Sequence, residues 1–140
     1  MRVCAVELTG KEMNLCMLEK NEDMFTIVEC RSKKITLSND DDQSQVQGLQ
    51  KQIVQLFDDY KIDKVVVKTR MKSGKFSGSS TSFKIEAILQ LLPNYEVKLL
   101  APKLIKETNK ASDVHIEFEE TGLKKFQEPA FETALAYFQL

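Results

Sequence analysis

The chain opens with apolar positions gathered into runs too short for helices. Arg2 to Leu8 and Met13 to Glu19 are two such runs, and their aliphatic and β-branched content reads as strand. Between them lies Thr9-Gly10-Lys11-Glu12, where Gly10 gives the backbone freedom that a tight turn needs and closes a hairpin. A second polar break, Lys20-Asn21-Glu22-Asp23, leads into a third β-rich stretch from Met24 through Cys30, bent and continuing to Leu37. Three short-linked antiparallel strands are therefore expected at the start.

The period then changes. Ser38-Asn39-Asp40-Asp41-Asp42 is rich in helix-capping side chains, and beyond it Val46, Leu49, Ile53, Leu56, Phe57 and Tyr60 recur at helical spacing. This predicts a helix ending near Tyr60. Lys64-Val65-Val66-Val67-Lys68 is a continuous β-branched run, the pattern of a central parallel strand buried on both faces. After the serine- and glycine-rich Ser73 to Ser82, a second helix is marked by Phe83, Ile85, Ala87, Ile88, Leu91 and Leu92 and stopped by Pro93-Asn94. A strand from Glu96 to Leu100 follows. Pro102 suits the first turn of a short helix toward Asn109, and Pro129 opens a last helix carrying Ala130, Phe131, Ala134, Leu135 and Phe138. Only Lys110 to Gln127 shows no clear period. The order is βββ-α-β-α-β-α-α, without an internal repeat.

Composition narrows the classes. At 140 residues, 42% hydrophobic and 29% charged, the sequence fits one globular domain over 1–140 with one substantial core. Twenty basic against 21 acidic side chains leave a formal charge of −1, so only a local charge pattern can argue for nucleic acid. No segment approaches the roughly 20 apolar residues of a membrane helix. Met1 to Glu7 is too short and too acidic an apolar run for a signal peptide. Cys4, Cys16 and Cys30 lie in apolar strand-like segments without CxxC spacing, which suits reduced, buried thiols in a cytoplasmic protein.

A meander followed by two helix-linked strands fits an α/β fold built on a mixed five-stranded sheet, three antiparallel strands then two parallel strands, flanked by helices. That order resembles the RNase H-like superfamily. The short helix after the fifth strand and the alanine-rich closing helix resemble the RuvC-type Holliday-junction resolvases. Three segments, Cys4-Ala5-Val6-Glu7-Leu8-Thr9-Gly10, Met71-Lys72-Ser73-Gly74-Lys75-Phe76-Ser77-Gly78 and Gly122-Leu123-Lys124-Lys125-Phe126-Gln127-Glu128-Pro129-Ala130-Phe131, are similar to an uncharacterised bacterial domain-of-unknown-function family (DUF3010-like). This second resemblance implies a soluble domain of the bacterial cytosol and no particular reaction.

The fold resemblance implies a test. Nucleases of this kind hold two magnesium or manganese ions with carboxylates from the first strand, the fourth strand and the final helix, because hard cations take oxygen ligands. Glu7 stands at the first-strand position, and Glu128 and Glu132, four apart on the last helix, share a face. The fourth-strand position is Lys68, whose ammonium donates and cannot ligate a cation. A degenerate Glu/Lys centre follows, with Glu7, Lys68, Glu128 and Glu132 as its members and weak binding of magnesium or manganese by Glu7 and Glu132 at most. The alternatives are structural: Glu7 in an ion pair with a lysine, and Glu128 as an N-terminal helix residue favoured by the helix dipole.

A second signal is local charge. From Lys64 to Ile85 there are six basic residues, among them Arg70, Lys72, Lys75 and Lys84, and no acidic one. Hydroxyls, backbone amides and these cations ahead of a helix suit a phosphate, and Phe76 suits stacking on a base. The spacing is not a Walker motif, and a solvated loop is the plainer alternative. His115 has no histidine or cysteine partner at ligand spacing, and the alternation around it suggests an exposed β-like segment. The expectation is an RNase H-like domain associated with nucleic acid. The competing classes are a non-catalytic interaction module that self-associates, giving a homodimer, and a binder of small phosphorylated ligands.

Overall fold

The computed structural model describes residues 1–140. Strands β1 (Arg2–Thr9), β2 (Glu12–Asn21), β3 (Met24–Val28) and β4 (Lys34–Thr36) are followed by helix α1 (Gln43–Asp59), β5 (Lys64–Lys68), α2 (Ser80–Gln90), β6 (Val97–Leu100), α3 (Pro102–Ala111) and α4 (Glu128–Gln139). The sheet order is β3-β2-β1-β5-β6, with β4 also paired to β2. Strands β1, β2 and β3 pair antiparallel, while β1, β5 and β6 run parallel. The expected mixed α/β architecture is present.

One strand departs from the reading of the pattern. The stretch expected to run bent from Met24 to Leu37 breaks after Val28, and its second part returns as β4 beside the other end of β2. Five strand positions are therefore filled by six strands. In the gap Cys30 turns its side chain into the core, and the Leu15 amide donates to the Lys33 carbonyl, so β2 stays hydrogen-bonded through the break.

Alternation along the strands sorts residues onto two faces. Cys4, Val6 and Leu8 of β1, Met13, Leu15 and Met17 of β2, and Val65 and Val67 of β5 face α1 and α2, whose Leu49, Ile53, Leu56, Phe57, Ile85 and Leu89 complete that layer. On the opposite face Val3, Ala5, Cys16, Leu18 and Val66 meet Ile105 of α3 and Ala130, Phe131, Ala134 and Leu135 of α4. The alanines let α4 lie close on β1, β2 and β5.

Capping explains where the helices begin. The Asp42 carboxylate accepts from the Ser44 amide at the start of α1, and the Ser79 hydroxyl accepts from the Ser82 amide at the start of α2. The second cap starts α2 at Ser80, three residues before the first apolar residue of its pattern. The segment between α3 and α4 forms no strand. Val114, Ile116, Phe118 and Leu123 pack on the α4 layer, and two 3-10 turns, Phe118–Glu120 and Lys125–Gln127, carry the chain into α4. The alternation around His115 marks an extended strap with its even-numbered residues turned inward. No helix is long and apolar enough to cross a membrane.

Candidate functional site

The parallel strands β1, β5 and β6 end at the same edge of the sheet, and in open α/β sheets the crevice outside the carboxyl ends is where ligands bind. Glu7 lies near the end of β1 on the face of Val3 and Ala5, the face covered by α4. It sits in register with Lys68, the last residue of β5, and with Asn14 of β2. Adjacent strands place such residues about 4.8 Å apart with side chains on one side. Asn14 is buried, at 3% exposure, and its amide nitrogen donates to a Glu7 carboxylate oxygen at 3.1 Å.

From the other side α4 brings two carboxylates. Gln127, buried ahead of the helix, donates from its side-chain amide to the Leu15 carbonyl at 2.8 Å and accepts from the Lys124 amide at 2.9 Å, so the helix start is fastened to β2. Glu128 is the first residue of α4 and ion-pairs with Lys125 at 2.6 Å. Glu132 is one turn on. Lys68, Glu128 and Glu132 line one cleft of about 670 Å³ together with Lys106 and His115. Its apolar wall includes Ile105, Phe131 and Leu135.

Electrostatics join the four predicted residues. Partial burial pushes the Glu132 carboxyl above its ordinary value, and the Glu128 carboxylate pushes the same way. Lys68 and then Lys125 pull it down, while Glu7 adds a smaller upward push. Glu132 thus lies within reach of the charges of Glu7, Lys68 and Glu128. No ion pair of 4.0 Å or less joins Lys68 to any carboxylate, and Glu128 pairs with Lys125. The simple ion-pair reading of Glu7 therefore gives way to the Asn14 hydrogen bond.

This donor set does not fit a divalent-metal centre. No group of three histidine, cysteine, aspartate or glutamate side chains is arranged to hold a metal ion. Where a third oxygen ligand would stand on β5, the chain carries the ammonium group of Lys68.

The basic loop leaves from the same end of the sheet. It starts directly after Lys68, and the Thr69 amide donates to the Leu100 carbonyl at 2.9 Å. Met71 bridges Ser77, Gly74 adopts φ +92°, and the Gly78 amide donates to the Met71 carbonyl at 2.8 Å, closing a small β-like loop. The Ser79 hydroxyl ties it to the β1–β2 turn by donating to the Gly10 carbonyl at 2.6 Å. Lys72, Lys75 and Phe76 are exposed, Phe76 at 73%, and the Lys75 ammonium lies 5.8 Å from the Phe76 ring centre. Arg70 is half-buried at the loop base and, like Lys72 and Lys75, is not ion-paired.

Lys84 is different from the other predicted phosphate ligands. Its ammonium donates to the Asp40 carbonyl at 2.8 Å and lies 3.7 Å from the Asp41 carboxylate. It holds the acidic loop before α1 onto α2, so it is already neutralised where the sequence reading has it free. Two residues escape that reading, Asn14 beside Glu7 and His115 in the cleft. Asn14 is hidden in an apolar strand, and His115 belongs to the segment without a clear period; the outward parity of His115, Glu117 and Glu119 was the one available signal. The three cysteines are buried and unpaired. Burial raises all three thiols, Cys16 up to about 12, so none is a poised nucleophile.

The family model described as "Protein of unknown function (DUF3010)" matches residues 1–137. No curated protein matches. Among solved structures, RuvC of Thermus thermophilus superposes with a TM-score of 0.73 at 12% identity, over 99% of this chain and 94% of that one. The same protein in complex with Holliday junction substrate gives 0.73 at 9% identity over 99% and 93%. The fowlpox virus Holliday junction resolvase gives 0.57 at 11% identity over 99% of both chains. At these identities the likeness establishes the RuvC-type, RNase H-like layout of the fold.

Proposed function

Because the chain belongs to the DUF3010 family, which carries no assigned reaction, we propose its function from the site: a nucleic-acid-binding domain of RuvC-like fold that contacts phosphates through the loop after β5 and does not cut them with metal ions. The observation that carries this reading is the loop itself. Arg70, Lys72 and Lys75 are free of acidic partners, and Phe76 projects into solvent at the sheet end where Glu7 and Lys68 meet. Guanidinium and ammonium groups contact phosphate oxygens, and an exposed ring beside them offers a stacking platform to an unpaired base. The neighbouring cleft carries Glu117, Glu119, Glu128 and Glu132 against Lys68 and Lys106. That excess of carboxylates repels a phosphate backbone, so the loop is the contact and the cleft its boundary.

One of the superposed structures is a resolvase in complex with Holliday junction substrate, so branched DNA is the first polymer to test. We assign the domain to a bacterial cytosol on this reading, consistent with three unpaired cysteines. The test is anisotropy titration of branched, duplex and single-stranded DNA and of RNA in chelator. Three loop cations should give a log-log salt slope of about −2 to −3, since each neutralised phosphate contributes roughly −0.7 to −0.9, and Lys72→Ala with Lys75→Ala should abolish most of it. Absence of binding at low salt removes the reading. Light scattering on the same samples separates a monomer from a homodimer built on exposed apolar side chains such as Leu91, Leu99 and Leu104.

A further inference from the structure

Two independent features around Glu7 call for a positive charge. One is the surplus of carboxylates: Glu7 from β1 and Glu132 from α4 face Lys68, while Glu128 is paired with Lys125 at 2.6 Å. The other is Asn14, at 3% exposure, whose amide nitrogen is engaged by Glu7 and whose oxygen is buried without any donor. The orientation of that amide is fixed, since the flipped form would set its oxygen against the Glu7 carboxylate. Asn14, Glu7 and Lys68 lie in consecutive positions across β2, β1 and β5. Glu7 and the unpartnered Asn14 oxygen thus follow Lys68 across the sheet, Glu132 lines the cleft that Lys68 enters, and Lys68 is the one tethered ammonium among them.

We infer that Lys68 is a built-in counter-ion: its ammonium occupies the electrostatic place of a divalent cation, keeps the wild-type pocket indifferent to such ions, and masks a cation site formed by Glu7, Asn14 and Glu132. A lysine suits this role. Its compact charge sits on a flexible stem and acts on Glu132 without a direct ion pair, and as a covalent part of the strand it cannot be diluted away or chelated. The glutamates and Asn14 supply the oxygen ligands that hard cations take. The inference does not depend on nucleic-acid binding, because it concerns ions alone.

The test is calorimetric titration of manganese into wild type, Lys68→Gln and the double variant Lys68→Gln with Glu7→Gln, each first checked for its fold by circular dichroism. Wild type should show no saturable site in the submillimolar range. Lys68→Gln should bind manganese at least tenfold more tightly, and the double variant should lose that gain. Lys68→Met, which leaves no hydrogen-bonding head group, serves if the glutamine variant fails to fold, and paramagnetic broadening of the Asn14 side-chain amide by manganese is read on wild type itself. Saturable manganese binding by wild type as tight as in the variants, or no gain in either folded variant, overturns the inference.

Discussion

Glu132 shows how one side chain registers the imbalance of its surroundings. Its side chain keeps contact with solvent, yet partial burial and the Glu128 carboxylate, with Glu7 behind them, hold its carboxyl above the ordinary value against the pull of Lys68 and Lys125. A carboxyl raised in the folded state favours its protonated form there, so the native state carries no penalty below the unfolded value of about 4.3 and loses stability as pH rises through the folded value. Glu132→Gln should therefore melt above wild type at pH 7, with the difference vanishing near pH 3. A variant that melts lower at pH 7 would mean that Lys68 and Lys125 stabilise this carboxylate on balance. At this scale the sequence was half legible. An acid in mid-strand, as at Glu7, is costly enough to be conspicuous. Asn14 is as polar and more deeply buried, but nothing in a run of apolar neighbours says which face of β2 it takes or that Glu7 is its partner.

Among the elements, those with a strong period were the readable ones. The meander, α1, β5 and α4 are set by local patterns of apolar residues and by caps such as Asp42 and Ser79. The split of the third strand into β3 and β4 was not, because both halves find their hydrogen bonds on β2, a pairing invisible to local propensity. The strap from Asp113 to Leu123 likewise packs on the α4 layer and has only local turn hydrogen bonds of its own. The basic loop depends on one close approach. A Cβ added at Gly78 would meet the Arg70 Cβ at 2.7 Å and the Ser82 hydroxyl at 2.8 Å. The first of these atoms is fixed to backbone, so Gly78→Ala must push the two arms of the loop apart and disturb the start of α2. Overpacking of this kind costs about 1–3 kcal/mol, and the displaced Arg70 and Lys72 should weaken DNA binding severalfold. Urea melts and the anisotropy titration measure the two effects separately. Unchanged affinity in the folded variant would show that loop shape is immaterial to binding.

In the whole molecule the two apolar layers share their strands: β1 supplies Cys4, Val6 and Leu8 to one and Val3 and Ala5 to the other, and β5 divides Val65 and Val67 from Val66 in the same way. The site is a product of that arrangement, for Glu7 and Lys68 come from the sheet, Glu128 and Glu132 from a helix sixty residues or more further along, and only the folded register brings them together. Element order was enough to propose the meeting; the missing ion pair of Lys68 and the engagement of Lys84 by Asp40 were settled by side-chain geometry that no spacing encodes. The shared sheet makes a prediction about cooperativity. Phe57 is fully buried in the α1 layer, on the face away from Glu132, and Phe57→Ala should cost about 3–5 kcal/mol through lost burial and the cavity left behind. If residues 1–140 unfold as one unit, that loss reaches α4 undiminished: in hydrogen exchange, the slowest amides of α1 and of α4 should lose protection by the same factor, and urea melts of the variant should keep the wild-type slope while the midpoint falls. Full protection surviving in α4 alongside loss in α1 would instead divide the chain into two cooperative units, with the Glu7 pocket lying across the boundary between them.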